Sequence, residues 1–253
     1  RAGRDERHEE QQDQQERTER DPAVEDLERG QRDQLRVEAD AAVLDVQAVV
    51  AQLVARRGEV AAAHLREAID SSLAANAMVG APTTWVTDNH DTPRSVGRYA
   101  QETQLLGSYV PATSTDTDDF DEQRGQQRAR AMALLLLALP GAVYIYNGQE
   151  LGLPNVDDLP ESALQDPVWE KSGRTNRGRD NCRIPMPWSA ASPSFGFSAS
   201  AETWLPMPEY WGRYAVASQD ADAASMLALY REALHLRSEV PALGRGELTW
   251  LHA

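Results

Sequence analysis

The sequence predicts an α/β fold organised as part of a (β/α) barrel, and three observations carry that reading. Two short β-prone runs, 83–87 and 142–146, each lead into a polar cluster, Asp88-Asn89-His90-Asp91 and Asn147-Gly148-Gln149-Glu150. Helical patterns precede, separate and follow these runs, in the order helix, strand, helix, strand, long connection, helix. Both polar clusters stand at the C-terminal ends of their runs, where a parallel barrel presents its chemistry.

Taken in order, residues 64–78 set Leu65, Ala68, Ile69, Leu73 and Met78 along one helical face, and Gly80 and Pro82 stop the helix. The run 83–87 follows, and Pro93 holds Thr92 out of helical geometry. Residues 102–121, rich in Thr, Ser and Asp, read as a loop. Asp116, Asp118 and Asp119 resemble a calcium loop only in outline, because the turn glycine and the terminal glutamate are absent. No metal ligands are nominated. A long helix over 123–139 is basic at first (Arg124, Arg128, Arg130), then apolar, and ends at Pro140-Gly141. The continuous apolar run 142–146 predicts a parallel strand covered on both faces. After a connection over 151–211 rich in Pro, Trp and charge, an amphipathic helix spans 224–237. Residues 246–251 read as a first strand, so 243–253 are expected to begin a C-terminal β domain.

Composition bounds the function. A chain of 253 residues holds one barrel or two smaller domains. A net charge of −15 leaves no basic surface to neutralise phosphates, which excludes nucleic acid as a partner. Cys182 is the single cysteine, so no internal disulfide forms, in keeping with a reducing compartment. The longest apolar run, 131–146, is broken by Pro140-Gly141 and is too short to span a bilayer. The charged start shows no signal peptide. A cytoplasmic location and no membrane partner are therefore expected.

The beginning of the chain is a different material. Residues 1–40 contain 22 charged residues, and no aromatic precedes Trp85. Residues 1–62 thus read as a charged low-complexity segment, disordered or helical, with one amphipathic helix available over 41–55. A coiled coil is disfavoured, because the apolar residues before 41 keep no 3.5-residue period.

Four ordered segments from residue 63 onward carry a resemblance: Trp85-Val86-Thr87-Asp88-Asn89-His90-Asp91-Thr92-Pro93-Arg94; Tyr144-Ile145-Tyr146-Asn147-Gly148-Gln149-Glu150-Leu151-Gly152; Gly178-Arg179-Asp180-Asn181-Cys182-Arg183-Ile184-Pro185-Met186-Pro187-Trp188; and Trp204-Leu205-Pro206. Together they resemble the C-terminal half of the catalytic barrel of the α-amylase family of glycoside hydrolases. The match is to its bacterial α-glucosidase and oligo-1,6-glucosidase branch, because the Arg-Asp-Asn-Cys-Arg segment is a signature of the glucosidases. The resemblance implies that 63–242 form the C-terminal part of a (β/α)8 TIM barrel, about its seventh and eighth strands.

It also implies a retaining glycosidase, in which a nucleophile and an acid/base flank the bond and a third carboxylate supports an oxocarbenium-like transition state. Asp91 matches that third carboxylate, an electrostatic stabiliser rather than a bond-former. His90 matches a histidine that donates to a sugar hydroxyl, Asn89 stands beside it among the substrate contacts, and Arg179 matches an arginine at the pocket mouth. The plainer alternatives are a helix cap for Asp91, a packed histidine for His90 and a surface salt bridge for Arg179. Asp180 and Arg183 are expected to order their loop, and Glu150 to be structural. Trp169, Trp188, Trp204 and Trp211 either stack on sugars or form the loop's own small core. The implied substrate is a maltose-like or isomaltose-like oligosaccharide, with no cofactor.

The sequence departs from the family where bonds are made. The nucleophile belongs in a Gly-x-Arg-x-Asp pattern at the fourth strand and the acid/base in a Gly-Glu pattern at the fifth, and neither stands at the end of an apolar strand before residue 63. Residues 1–60 are therefore expected to be a wrong-frame translation in a truncated gene fragment that lacks activity alone. Two alternatives stay open: a trehalose synthase-like glucosyl transferase or isomerase of the same family, and a catalytically dead amylase-like domain used for binding. Retention of Asn89-His90-Asp91 and Arg179 disfavours the latter.

Overall fold

A computed structural model, which describes residues 59–100, 121–191 and 193–251, centres on two parallel strands. β1 (Thr84–Val86) and β2 (Ala142–Tyr144) pair in the register Thr84↔Ala142, Trp85↔Val143, Val86↔Tyr144. Parallel neighbours need a crossover, and the chain makes it through α2 (Ser95–Ala100) and α3 (Glu122–Ala138). α1 (Glu59–Met78) leads into β1, and α4 (Met226–Glu239) follows the long connection. The expected order of elements is thus the observed one, and the architecture is α/β. The charged segment before residue 59, the helix expected over 41–55 and the loop aspartates Asp116, Asp118 and Asp119 lie outside the described residues.

Local chemistry sets each boundary. α1 is rich in alanine and ends where Gly80 takes a left-handed φ of 65°, with Val79 N–H bonded to the Asn76 carbonyl. α3 opens on Asp121, whose carboxylate accepts from the Arg124 N–H at 3.0 Å. It stops before Pro140-Gly141, and its exposed carbonyls find a cation. Arg237 of α4 donates from Nη1 to the carbonyls of Leu137 and Leu139, and from Nη2 to that of Gly141. Gly125 lets α3 cross α2 at backbone distance: a Cβ there would stand 2.3 Å from the Val96 carbonyl oxygen.

Two apolar clusters hold the elements. The first joins Ile69 of α1, Trp85 of β1, Val96 and Tyr99 of α2, Leu136 and Leu137 of α3, and Met226 and Tyr230 of α4. Trp85 is nearly inaccessible and also donates its indole N–H to the Pro140 carbonyl at 2.7 Å, which ties β1 to the turn before β2. Burial of each large side chain in this cluster contributes about 1.5–3 kcal/mol. The second cluster lies within the long connection, where Leu151, Leu153, Ile184, Leu205 and Trp211 pack together.

Three sequence expectations need correction. The second strand ends at Tyr144 and is not covered on both faces: Tyr144 is 63% exposed, because among the described residues β2 has a single neighbouring strand. Residues 246–251 form no strand; they lie against α1, where Trp250 donates its indole N–H to Asp70 at 2.7 Å beneath the Arg66 guanidinium. The first described helix begins at Glu59, ahead of the helical pattern expected from residue 64.

Candidate active site

The tip of β1 places four consecutive polar residues, Asp88 to Asp91, in different surroundings. Asp88 is buried, and its carboxylate accepts from the Ser95 N–H and hydroxyl and from Arg98 Nη2 at 3.0 Å. It therefore anchors the start of α2. Asn89 closes a local turn: its side-chain oxygen accepts from the Asp91 N–H at 2.8 Å and from the Thr92 hydroxyl at 3.2 Å. The helix-cap role considered for Asp91 thus belongs to Asp88, and Asp91 is released toward solvent by the turn that Asn89 and Thr92 build.

Asp91 meets the loop that carries the Arg-Asp-Asn-Cys-Arg segment. Its Oδ1 accepts from Arg179 Nη1 at 2.7 Å and from Arg183 Nη2 at 3.0 Å, while its Oδ2 stands 3.4 Å from His90 Nε2. The Asp91 side chain is 48% exposed and that of His90 69%, so His90 is not a packed core histidine. Arg183 also donates from Nε to the His90 carbonyl at 2.7 Å, which fixes the backbone beneath the pair. Arg179 does make a salt bridge, as its plainer reading held, but one of its partners is the candidate carboxylate itself.

Behind the arginines lies a residue that sequence reasoning passed over. The Asp166 carboxylate is 1% exposed and takes Arg179 Nε at 2.6 Å, the Arg179 N–H at 3.1 Å and Arg179 Nη2 at 3.3 Å, with Arg183 Nη1 at 3.6 Å. The hydrogen bond from Arg179 holds the Asp166 carboxyl down at about 2. Asp180 orders this loop as expected, its carboxylate accepting the N–H groups of Gln165 and Asp166 at 2.6 and 2.8 Å. The result is a layered arrangement: buried Asp166, two guanidiniums, then accessible Asp91.

The two strand tips are joined by Gln149. Its amide nitrogen donates to the Thr87 hydroxyl at 2.7 Å and to the Tyr230 hydroxyl at 2.8 Å, and its oxygen accepts the Tyr146 N–H at 3.1 Å. Gln149, the neighbour of Glu150, thus makes the connection between the tips. Burial raises the Glu150 carboxyl, and its Oε2 has no hydrogen-bond partner among the described residues. Arg94, fully buried, donates from Nη1 to the Asn147 carbonyl at 2.8 Å and lies over the Tyr146 ring; burial lowers its pKa. Cys182 is buried beside the same loop, and desolvation pushes its thiol up to about 11, so it is unreactive at neutral pH. The tryptophans divide: Trp169 and Trp211 are core, while Trp188 and Trp204 are each about half exposed. Among the described residues no group of His, Cys, Asp and Glu has the spacing of a metal site. No described helix is long and apolar enough to cross a membrane.

A strand-tip carboxylate presented by a parallel β/α unit, with two guanidiniums converging on one of its oxygens, stands where β/α barrels place their chemistry. Residues 43–246 match the alpha-amylase catalytic domain, and the chain belongs to that family, whose members are TIM-barrel enzymes. The match begins inside the compositionally distinct segment 1–62, ahead of α1. A probable alpha-glucosidase of Rhizobium meliloti is 38% identical over 167 residues, which are 66% of this chain and 26% of that protein. A solved alpha-glucosyl transfer enzyme is 34% identical with a TM-score of 0.55, over 76% of this chain and 31% of its own. The trehalulose synthase of Pseudomonas mesoacidophila, 24% identical with a TM-score of 0.57 over 73% of this chain and 33% of its own, shares the fold. The chain spans about a quarter to a third of the length of these relatives.

Proposed function

We propose that this chain carries the Asp91 side of the active site of an α-glucosidase-type glycoside hydrolase, one that releases glucose from the non-reducing end of short α-glucosides with retention. Asp91 is the transition-state stabiliser. Its Oδ2, to which neither arginine donates a hydrogen bond, accepts hydroxyls of a distorting glucose ring and opposes the positive charge that develops there. His90, exposed beside it, donates to a sugar hydroxyl. Asn89 contributes mainly by shaping the turn, with its amide N–H groups as the atoms it has to offer a sugar. Arg179 holds Asp91 and borders the pocket. The observation that carries this reading is the convergence of Arg179 and Arg183 on one oxygen of Asp91.

The same reading holds the chain alone to be catalytically incomplete. The nucleophile and acid/base patterns are missing, and Glu59, which follows a glycine, opens helix α1 rather than ending a strand. Residues 63–242 are proposed as the C-terminal part of a barrel, and reading the DNA of residues 1–60 in its other frames tests their origin. A second reading, transfer of glucose to a sugar acceptor, is supported by the 34% identity to an alpha-glucosyl transfer enzyme. The decisive experiment for the site is calorimetric titration with an iminosugar and with methyl α-glucoside. Saturable binding that is lost in Asp91→Asn is expected, and binding indifferent to that substitution would refute the assignment. Turnover of p-nitrophenyl α-glucoside above a His90/Asp91 double-alanine control would refute the incompleteness.

A further inference from the structure

We propose that Trp204 and Phe197 form a ledge on which an outer glucose unit of a longer α-glucoside stacks, continuing the Asp91 site outward. This rests on the glucoside-binding reading above and extends it to chain length. Trp204 is 52% exposed and Phe197 37%, and their rings meet edge to face with centroids 5.0 Å apart. Two large aromatic rings left in water together cost burial energy that a ligand would recover. The flat C–H face of a pyranose is the complement of such a ring, with its hydroxyls directed to the rim.

The ledge is built into the site rather than merely near it. Trp204 donates its indole N–H to the Arg183 carbonyl at 3.0 Å, and the guanidinium of that same Arg183 holds Asp91 at 3.0 Å. One arginine therefore spans from the ledge to the candidate carboxylate. Trp204 is also bonded through its own carbonyl to the Gln165 amide, beside buried Asp166, and it precedes buried Leu205. On the Phe197 side the Ser194 hydroxyl lies 2.7 and 2.9 Å from the carbonyls of Ser200 and Ser198 and accepts the Ser198 N–H at 3.1 Å. Ser194 and Phe195 hold φ of 45° and 50°, a left-handed pair that non-glycine residues adopt only under constraint. Both rings thus stand on fixed backbone, and little order is lost when a sugar stacks. Trp188 is equally exposed, but its indole makes no hydrogen bond to the Asp91 cluster among the described residues.

The test compares maltotriose and isomaltotriose with methyl α-glucoside, titrated into the full chain and followed by the indole N–H resonances and by calorimetry. Trp204→Ala is expected to weaken binding of at least one trisaccharide about tenfold, the effect of re-exposing about 60 Å² of ring, and to leave methyl α-glucoside unchanged. Trp204→Phe, which keeps a ring but loses the bond to Arg183, restores most of the affinity, and Trp188→Ala has no effect. Trisaccharide affinity that is unchanged in Trp204→Ala, or that falls equally in Trp204→Phe, overturns the ledge while leaving the Asp91 site standing. Trisaccharide binding that depends on Trp204 but not on Asp91 supports the ledge and refutes the Asp91 reading. Absence of binding by all three sugars overturns both.

Discussion

Asp166→Asn separates charge from shape at the base of the Arg179–Arg183 layer. The amide keeps the volume of the carboxylate but loses its charge and can accept from only one oxygen. A carboxyl held at about 2 rather than 3.8 contributes to folding in proportion to that difference. At neutral pH the contribution is on the order of 2 kcal/mol. The sign follows from which state binds the proton first. The unfolded chain protonates near 3.8 and the folded one near 2, so the stabilisation is complete above the former and disappears as pH falls through the latter. Urea unfolding of the parent chain and of Asp166→Asn, followed by circular dichroism, should give a gap of about 2–3 kcal/mol at pH 7 and about half of it near pH 3. The corresponding drop in melting temperature is about 4–10 °C. A gap of the same size at both pH values would show that Asp166 acts by packing alone, and no gap at pH 7 would show that the arginines do not need it.

Further outcomes follow from other residues of the framework. Gly141→Ala places a Cβ 2.2 Å from the Thr83 carbonyl oxygen at a φ of 117°, and is expected to cost about 3 kcal/mol or more in unfolding free energy. A loss under 1 kcal/mol would mean the β1–β2 junction relaxes freely. Gln149→Leu leaves the Thr87 hydroxyl, the Tyr230 hydroxyl and the Tyr146 N–H without their partner, a loss of about 2–3 kcal/mol measurable by denaturant titration. Arg237→Lys replaces a fork that serves three carbonyls by a point charge, with about 1–2 kcal/mol lost and faster amide hydrogen exchange confined to the last turn of α3. Uniform exchange along α3 would count against that capping role.

Much of this architecture was legible because short-range signals agree with one another. Pro140-Gly141 ends a helix and starts a strand, Gly80 ends another helix, and the polar residues after each strand sit where a parallel unit must expose them. What stayed hidden depends on partners far along the chain. Arg179 and Arg183 reach Asp91 across 88 and 92 positions, and no periodicity reports such a contact. Asp166 stands before a proline in an acidic loop and has no local mark of burial. The apolar run 142–146 shows what a strand would like against its faces, not what is there, so the exposure of Tyr144 could not be read from it. Residues 246–251 have the aromatic and aliphatic character of a strand, but that character is satisfied by packing on α1. Gln149 carries no local mark of its role, because the hydroxyls it bonds lie 62 and 81 positions away.

The hydrogen bond that the Gln149 amide donates to the Tyr230 hydroxyl has a consequence for anyone reshaping this protein in the laboratory. Tyr230 lies on α4, far along the chain from the strand tips, yet it touches the same side chain that spaces them. Under the proposed function, substitutions near 226–233 that alter sugar selectivity would be expected to act through the spacing of the two tips. A library that varies Gln149 together with its two hydroxyl partners, Thr87 and Tyr230, would sample this adjustment directly.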